Sequence, residues 1–272
     1  MKKPIIYTLL ILCLGSMLFF GFKAYGKAKA YEESAASLSR NLNIEKLAEL
    51  QLKELAETFS FGMYENEVKR EFNRLEREKR AYAKESQKYF LYYLLTFFVL
   101  LGSYFLVSLR AFTFFVSLGT AATLLFGLTT PLLMVTIYKK IEYLGEVVLS
   151  YESKGVLGSI MKLFDNGDLV VPITILLFSV LIPLLKVLTI MFVSLFMKSR
   201  FAHGMVKVFK VMGKWSMADV FVVALFLVYF TTDTGTVSHA EIEVGLYFFL
   251  LYVIVSMFLT VSADKMLQRG YP

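Results

Sequence analysis

Six long apolar stretches constrain this chain more than any other feature of its sequence. They cover residues 4–22, 89–109, 111–137, 169–197, 215–232 and 244–262. A helix needs about 20 predominantly apolar residues to cross a bilayer, and each stretch is close to that length. Because 57% of the chain is hydrophobic, a soluble domain could not hide its apolar surface. The sequence therefore predicts an all-α integral membrane protein with about six transmembrane helices.

Basic residues between the fourth and fifth stretches predict the orientation. Residues 198–214 contain lysine and arginine but no acidic residue, and loops of this kind lie on the cytoplasmic side. Counting outward places both termini inside and residues 23–88, 138–168 and 233–243 outside. The other basic residues near inner ends agree with this count: Lys2, Lys3, Arg110, Lys265 and Arg269. The net charge of +7 is thus interpreted as topological, and no nucleic acid partner is expected.

The N-terminal part, residues 1–110, is predicted to be an anchor, a helical hairpin and a second span. Two lysines, an apolar stretch and then AKA at 28–30 together resemble a secretory signal with a cleavage site. An apolar core of about 18 residues nevertheless favours an uncleaved anchor over a cleaved one. Residues 27–88 become rich in charge, with apolar positions at helical spacing and a break near Gly62. This pattern predicts a hairpin outside the membrane whose second arm continues into the span at residue 89. A solvated spacer is the simpler interpretation of its role.

The loop 138–168 carries two weaker patterns. EVVLSYES has β-branched and aromatic residues and predicts a short strand, and LGSIMKLFDNGD predicts a short interfacial helix. Both belong to the predicted second domain, residues 111–272, which contains four of the six spans.

A candidate site lies inside the membrane, where ionisable residues are usually functional. Lys186 is roughly 16 Å from the inner end of its span, too deep for its side chain to reach water easily. Pro183 should kink the helix and free the backbone carbonyl one turn back. Asp219 lies roughly 6 Å beyond Trp215, which with Lys214 is predicted to anchor the fifth span at the interface. We expect Lys186 and Asp219 to share one polar site, either for transport or only for helix packing.

No enzymatic, metal or cofactor site is expected. Cys13 is the one cysteine, so no intrachain disulfide and no cysteine-based zinc site can form. His203 and His239 are predicted on opposite sides of the membrane, and no catalytic cluster converges.

Four segments together resemble the paraquat-inducible protein A family. IPLLKVLTIMF is followed about thirty residues later by GKWSMADVFVVALF and then by GLYFFLLYVIVSMFLTVSAD, while GSIMKLFDNGDLVVPITILLFSVLIP precedes the Pro-x-x-Lys span. The likeness covers about residues 112–264. The block Trp-Ser-Met-x-Asp-Val-Phe combined with Pro-x-x-Lys is its most specific part.

The resemblance implies a four-helix module similar to tetraspanins in the cell inner membrane. It implies a role in envelope integrity through lipid transport, with membrane lipids and a periplasmic mammalian-cell-entry protein as partners. Carried over by position, the family's in-membrane lysine would be Lys186 and its preceding proline Pro183. The block after the cytoplasmic loop would be Trp215, Ser216, Met217 and Asp219. Larger relatives have two modules and cysteine-rich zinc ribbons, whereas this chain has one module and no Cys-x-x-Cys. A homo-oligomer that rebuilds two modules is therefore an option, and a non-transporting membrane adaptor is the alternative function.

The orientation is tested by reporter fusions. A reporter inserted in the loop 198–214 should read as cytoplasmic, and one inserted at Gly62 should read as periplasmic. The opposite result at either position would contradict the predicted topology.

Overall fold

The structure is a computed structural model that describes residues 2–41, 67–141, 145–167, 169–196 and 238–269. Five helices in this part of the chain are long and apolar enough to cross a membrane. The predicted all-α membrane fold is therefore confirmed, with a small sheet added outside the helices. The predicted fifth span, 215–232, lies outside the described residues. In chain order the elements are α1 (Lys2–Asn41), α2 (Glu67–Gly102), α3 (Leu109–Thr129), β1 (Leu133–Ile141), β2 (Gly145–Lys154), α4 (Val156–Asp165), α5 (Val170–Ile175), α6 (Ile182–Leu195), β3 (Ser238–Ile242) and α7 (Val244–Arg269).

Helices α1 and α2 pack along each other and are called the hairpin below. The predicted break near Gly62 lies outside the described residues, so it stays a prediction. With 40 and 36 residues α1 and α2 are about 60 and 54 Å long, well beyond the thickness of a hydrocarbon core of about 30 Å. Each arm is therefore a span that continues outside the membrane without a break, as predicted for the second arm. Ser86 Oγ donates to the carbonyl of Ala24 at 3.0 Å, and Lys27 forms an ion pair with Glu85.

Tyr93 of α2 joins the hairpin to the other helices. Its ring is fully buried and meets Phe248 of α7 edge to face, with the ring centroids 4.9 Å apart. Its hydroxyl group lies 2.7 Å from Oγ1 of Thr123 in α3. Side chains from both sides of the predicted domain boundary near residue 110 thus share one core, and that boundary stays a prediction.

The third apolar stretch was predicted as one span over residues 111–137, and this boundary is wrong. Helix α3 ends at Thr129, and Thr130 is extended with φ −87° and ψ 146°. The residue before a proline avoids the helical region, so Pro131 ends the helix. The chain continues as β1, whose β-branched residues Val135, Thr136 and Ile137 suit a strand.

A three-stranded antiparallel sheet in the order β2-β1-β3 covers this end of the bundle. The predicted strand in EVVLSYES is confirmed as β2, and the predicted short helix is confirmed as α4. β1 and β3 were not predicted. They pair from Leu133 with Ile242 to Ile137 with Ser238, which brings the start of α7 next to the end of α3.

Helices α3 and α7 pack closely along a face of small and hydroxyl-bearing residues. A Cβ atom added to Gly127 would lie 2.9 Å from the backbone nitrogen of Phe249, so a larger residue would push the helices apart. Farther along, Thr113 Oγ1 and Ser262 Oγ are 3.1 Å apart. Small residues at such contacts let membrane helices approach closely.

Candidate functional site

The backbone of the fourth apolar stretch changes its winding just before the predicted site. Residues Leu176–Leu181 form a π-helical segment, and the amide of Ile182 donates to the carbonyl of Leu177, five residues back. Pro183 follows and has no amide hydrogen to donate. Such wide turns often mark functional positions in helices. The predicted irregularity at Pro183 thus takes the form of a π-helical segment.

Lys186 lies three residues after Pro183 and is buried, with 7% of the residue exposed. Its Nζ donates to Oγ of Ser256 in α7 at 3.3 Å. The Ser256 hydroxyl in turn donates to the carbonyl of Val253 at 2.9 Å, so its oxygen is oriented to accept from the ammonium group. Ser256 lies about 18 Å along α7 from Val244. The ammonium group is therefore held well inside the bundle by a hydroxyl from another span.

Pro183 supplies a backbone acceptor at the same site. Its carbonyl accepts a hydrogen bond from the hydroxyl of Tyr252 at 3.3 Å, and Tyr252 lies one turn before Ser256 on α7. The predicted acceptor was the carbonyl one turn before Pro183, whereas the observed one belongs to Pro183 itself. Besides the bond from Lys186 to Ser256, a second hydrogen bond thus joins α6 to α7 one turn away.

Further hydroxyl groups lie on the same stretch. Thr189, one turn after Lys186, is buried, and so is Ser179 in the π-helical segment. Ser179 Oγ has no hydrogen-bond partner among the residues that the structure describes. A buried hydroxyl without a partner is costly in an apolar setting, so this position offers a polar contact to a ligand or water.

Arg110 holds the far end of α6. Its Nε donates to the carbonyl of Ser194 at 2.7 Å, and its Nη2 donates to the carbonyl of Leu195 at 2.5 Å. The last carbonyls of a helix lack partners within the helix, and a cation there is favourable. Arg110 was predicted only as a topological marker, and the structure adds that it caps α6.

Four predicted site residues lie outside the described part of the chain. They are Lys214, Trp215, Ser216 and Asp219. The pairing of Lys186 with Asp219 stays a prediction. The described neighbours Tyr252 and Ser256 were not predicted as site residues, although their spacing of four on an apolar helix places both on one face.

The described residues of the candidate site lie within a segment that matches a protein family. The model of the family described as paraquat-inducible protein A matches residues 146–268. The predicted resemblance is thereby confirmed over the part of the chain from β2 to α7, which includes Pro183, Lys186, Tyr252 and Ser256. The hairpin and α3 precede the match, although the likeness was predicted to begin at residue 112. No curated protein and no solved structure matches the chain.

Within the paraquat-inducible protein A region, the bond from Tyr252 to Pro183 can be tested. Replacing Tyr252 by Phe removes the donor from a buried contact and should lower the free energy of unfolding by about 1 kcal/mol. Tyr247→Phe on the same helix is the matched control, because Tyr247 is 39% exposed. Thermal unfolding of both variants in detergent measures the difference, and equal midpoints would contradict the assigned contact.

Proposed function

We propose that this protein is the inner-membrane component of an intermembrane lipid-transport system. It passes phospholipid or a similar amphiphile between the membrane and a periplasmic carrier of the mammalian-cell-entry type. The match to the paraquat-inducible protein A family and the five candidate spans support a membrane component of this kind. The lipid cargo, the carrier and the predicted inner-membrane orientation belong to the proposal.

The observation that carries the proposal is the buried ammonium group of Lys186. A charged side chain near the centre of a span costs about 2.5–3.5 kcal/mol on insertion scales, and such residues are usually functional. Met or Leu would fill the space between α6 and α7 without this cost. A cation kept at this depth, with hydroxyl neighbours on α7, is suited to contact a phosphate headgroup or to exchange a proton during transport.

An apolar groove on the face of α6 supports an amphiphile as the cargo. It has a volume of about 360 Å³ and follows the face of α6, lined by Leu185, Leu188, Thr189, Met191, Phe192 and Leu195. Leu185 precedes Lys186 in the chain, and Thr189 lies one turn beyond it. We infer that an acyl chain in the groove directs its polar end toward the buried ammonium group, because Thr189 of the lining lies one turn from Lys186 on the same helix.

The hairpin supports a second candidate function, a membrane adaptor that recruits an envelope partner and moves no lipid. Both arms extend outside the membrane, and the outer half of α2 carries exposed charged residues such as Arg74 and Arg80. In an adaptor, Lys186 would serve only helix packing. The two functions therefore differ in whether activity depends on the charge of Lys186.

The test replaces Lys186 by Met, which is apolar and of similar length. We expect the variant to insert and fold, to retain less than about one tenth of the phospholipid that copurifies with the wild-type protein, and to fail in an envelope-permeability assay. Lys162→Met is the control, because Lys162 lies on the exposed face of α4 and should leave both readouts unchanged. Folding is checked by size-exclusion chromatography of the detergent-solubilised protein.

The double variant Lys186→Met with Asp219→Asn separates the two functions further. It removes both predicted charges, so it should be stable and remain inactive if the charges serve transport. Full activity of this variant would contradict the proposal and favour the adaptor.

A further inference from the structure

A second polar cluster, three of whose four members are buried, lies where the hairpin meets the sheet, far from Lys186. Tyr31 of α1 and Lys79 of α2 face Glu241 of β3 and Glu243, the residue between β3 and α7. The Tyr31 hydroxyl donates to Oε2 of Glu241 at 3.0 Å, and Nζ of Lys79 lies 5.3 Å from the centre of the Tyr31 ring. Tyr31, Lys79 and Glu243 are only 2%, 7% and 5% exposed. Four ionisable groups from three parts of the chain thus meet at one contact.

The cluster connects the hairpin to the helix that contacts Lys186. The amide of Glu243 donates to the carbonyl of Leu132, and the amide of Gly245 donates to that of Pro131, both at 2.9 Å. These bonds fix the backbone of Glu243, the residue directly before α7. Tyr252 and Ser256 lie two to four turns farther along the same helix. A movement of this cluster would therefore act on the first turn of α7, the helix whose Ser256 contacts the buried ammonium group.

The contact between the hairpin and the sheet also buries a group of apolar residues beneath the cluster. Tyr31 and Ala35 of α1 pack on Met134 of β1, and Tyr82 and Ala83 of α2 flank them. Met134 is fully buried. If the hairpin left the sheet, Met134 would lose part of its cover, so the exposure of this position reports directly on the contact.

The charged form of Glu243 is disfavoured in this environment. Burial raises the pKa of its carboxyl group to about 7, the hydrogen bond from Tyr31 and the charge of Lys79 lower it, and the charge of Glu241 raises it further. The charges of Glu76 and Arg80 on α2 also act on Lys79. Removal of this burial when the hairpin leaves the sheet would bring the pKa of the carboxyl group back toward its ordinary value of 4.5. Glu243 therefore binds its proton more tightly when the hairpin is seated on the sheet than when the hairpin is released.

We propose that Glu243 is a proton-binding site that latches the hairpin onto the sheet. With a proton on Glu243 the four-residue cluster closes, and loss of that proton leaves a buried carboxylate beside Glu241 and loosens the hairpin. The preference for the seated state is greatest below about pH 4.5 and falls as the pH rises through 7, as linkage requires when a carboxyl pKa is raised in the closed state. The latch does not depend on whether the cargo is a lipid.

The test measures how accessible position 134 is in the full-length protein at different pH values. Met134→Cys in a Cys13→Ser background is labelled with a membrane-impermeant methanethiosulfonate reagent in detergent. Glu33→Cys, on the exposed face of α1, gives the reference rate, so the ratio of the two rates removes the intrinsic effect of pH on thiol reactivity. We expect this ratio to rise at least tenfold between pH 5 and pH 7.5.

Three further variants decide the role of Glu243. Glu243→Gln is neutral at every pH and should keep the ratio low and flat. Lys79→Met removes a cation that favours the carboxylate and should move the midpoint to a higher pH. Arg74→Gln is the control, because Arg74 is exposed and pairs with Glu78, and its midpoint should match the parent.

A flat ratio in the parent, an unchanged rise in Glu243→Gln, or a shift to lower pH in Lys79→Met would each overturn the proposal. If Glu243→Gln fails to fold, the direction of the Lys79→Met shift still decides.

Discussion

The structure depends on how one ammonium group is accommodated between α6 and α7. A cation inside an apolar bundle requires polar neighbours, because the surrounding helices offer no water. Ser256 provides the hydroxyl that binds Lys186, and Tyr252 donates to the carbonyl of Pro183 one turn away. These contacts fix the rotation of α7 relative to α6. The π-helical segment before Pro183 sets which side chains of α6 face them.

Contacts at the two ends of the bundle hold α6 and α7 in this relative orientation. At one end Arg110 of α3 binds the last carbonyls of α6. At the other end β1, which follows α3, pairs with β3, which precedes α7. The sheet therefore joins the end of α3 to the start of α7. The close contact at Gly127 brings α3 and α7 together between these ends. The helices around the buried cation are thus held at both ends and have little freedom to rotate. This suits a site that must keep its geometry while a ligand or proton arrives.

The sequence predicted what depends on local pattern and missed what depends on distant partners. Lys186 and Pro183 stand out because a charge and a proline interrupt an apolar run, and the hairpin arms follow from helical periodicity. Ser256 and Tyr252 look like ordinary residues of an apolar helix until α6 lies beside them. β1 and β3 are separated by about a hundred residues, and long-range pairing leaves little local signal. The true end of α3 did have a local signal, Thr130 before Pro131, which the apolar composition of the stretch concealed.

The central claim, that Ser256 binds the buried ammonium group of Lys186, is tested most directly by a double-mutant cycle. The free energies of unfolding of Lys186→Met, Ser256→Ala and the double variant are measured by SDS titration in mixed micelles. A hydrogen bond to a buried charge predicts a coupling energy of at least about 1 kcal/mol between the two positions. Effects that add within about 0.3–0.5 kcal/mol would show that the two side chains do not interact, and would contradict the account of the site.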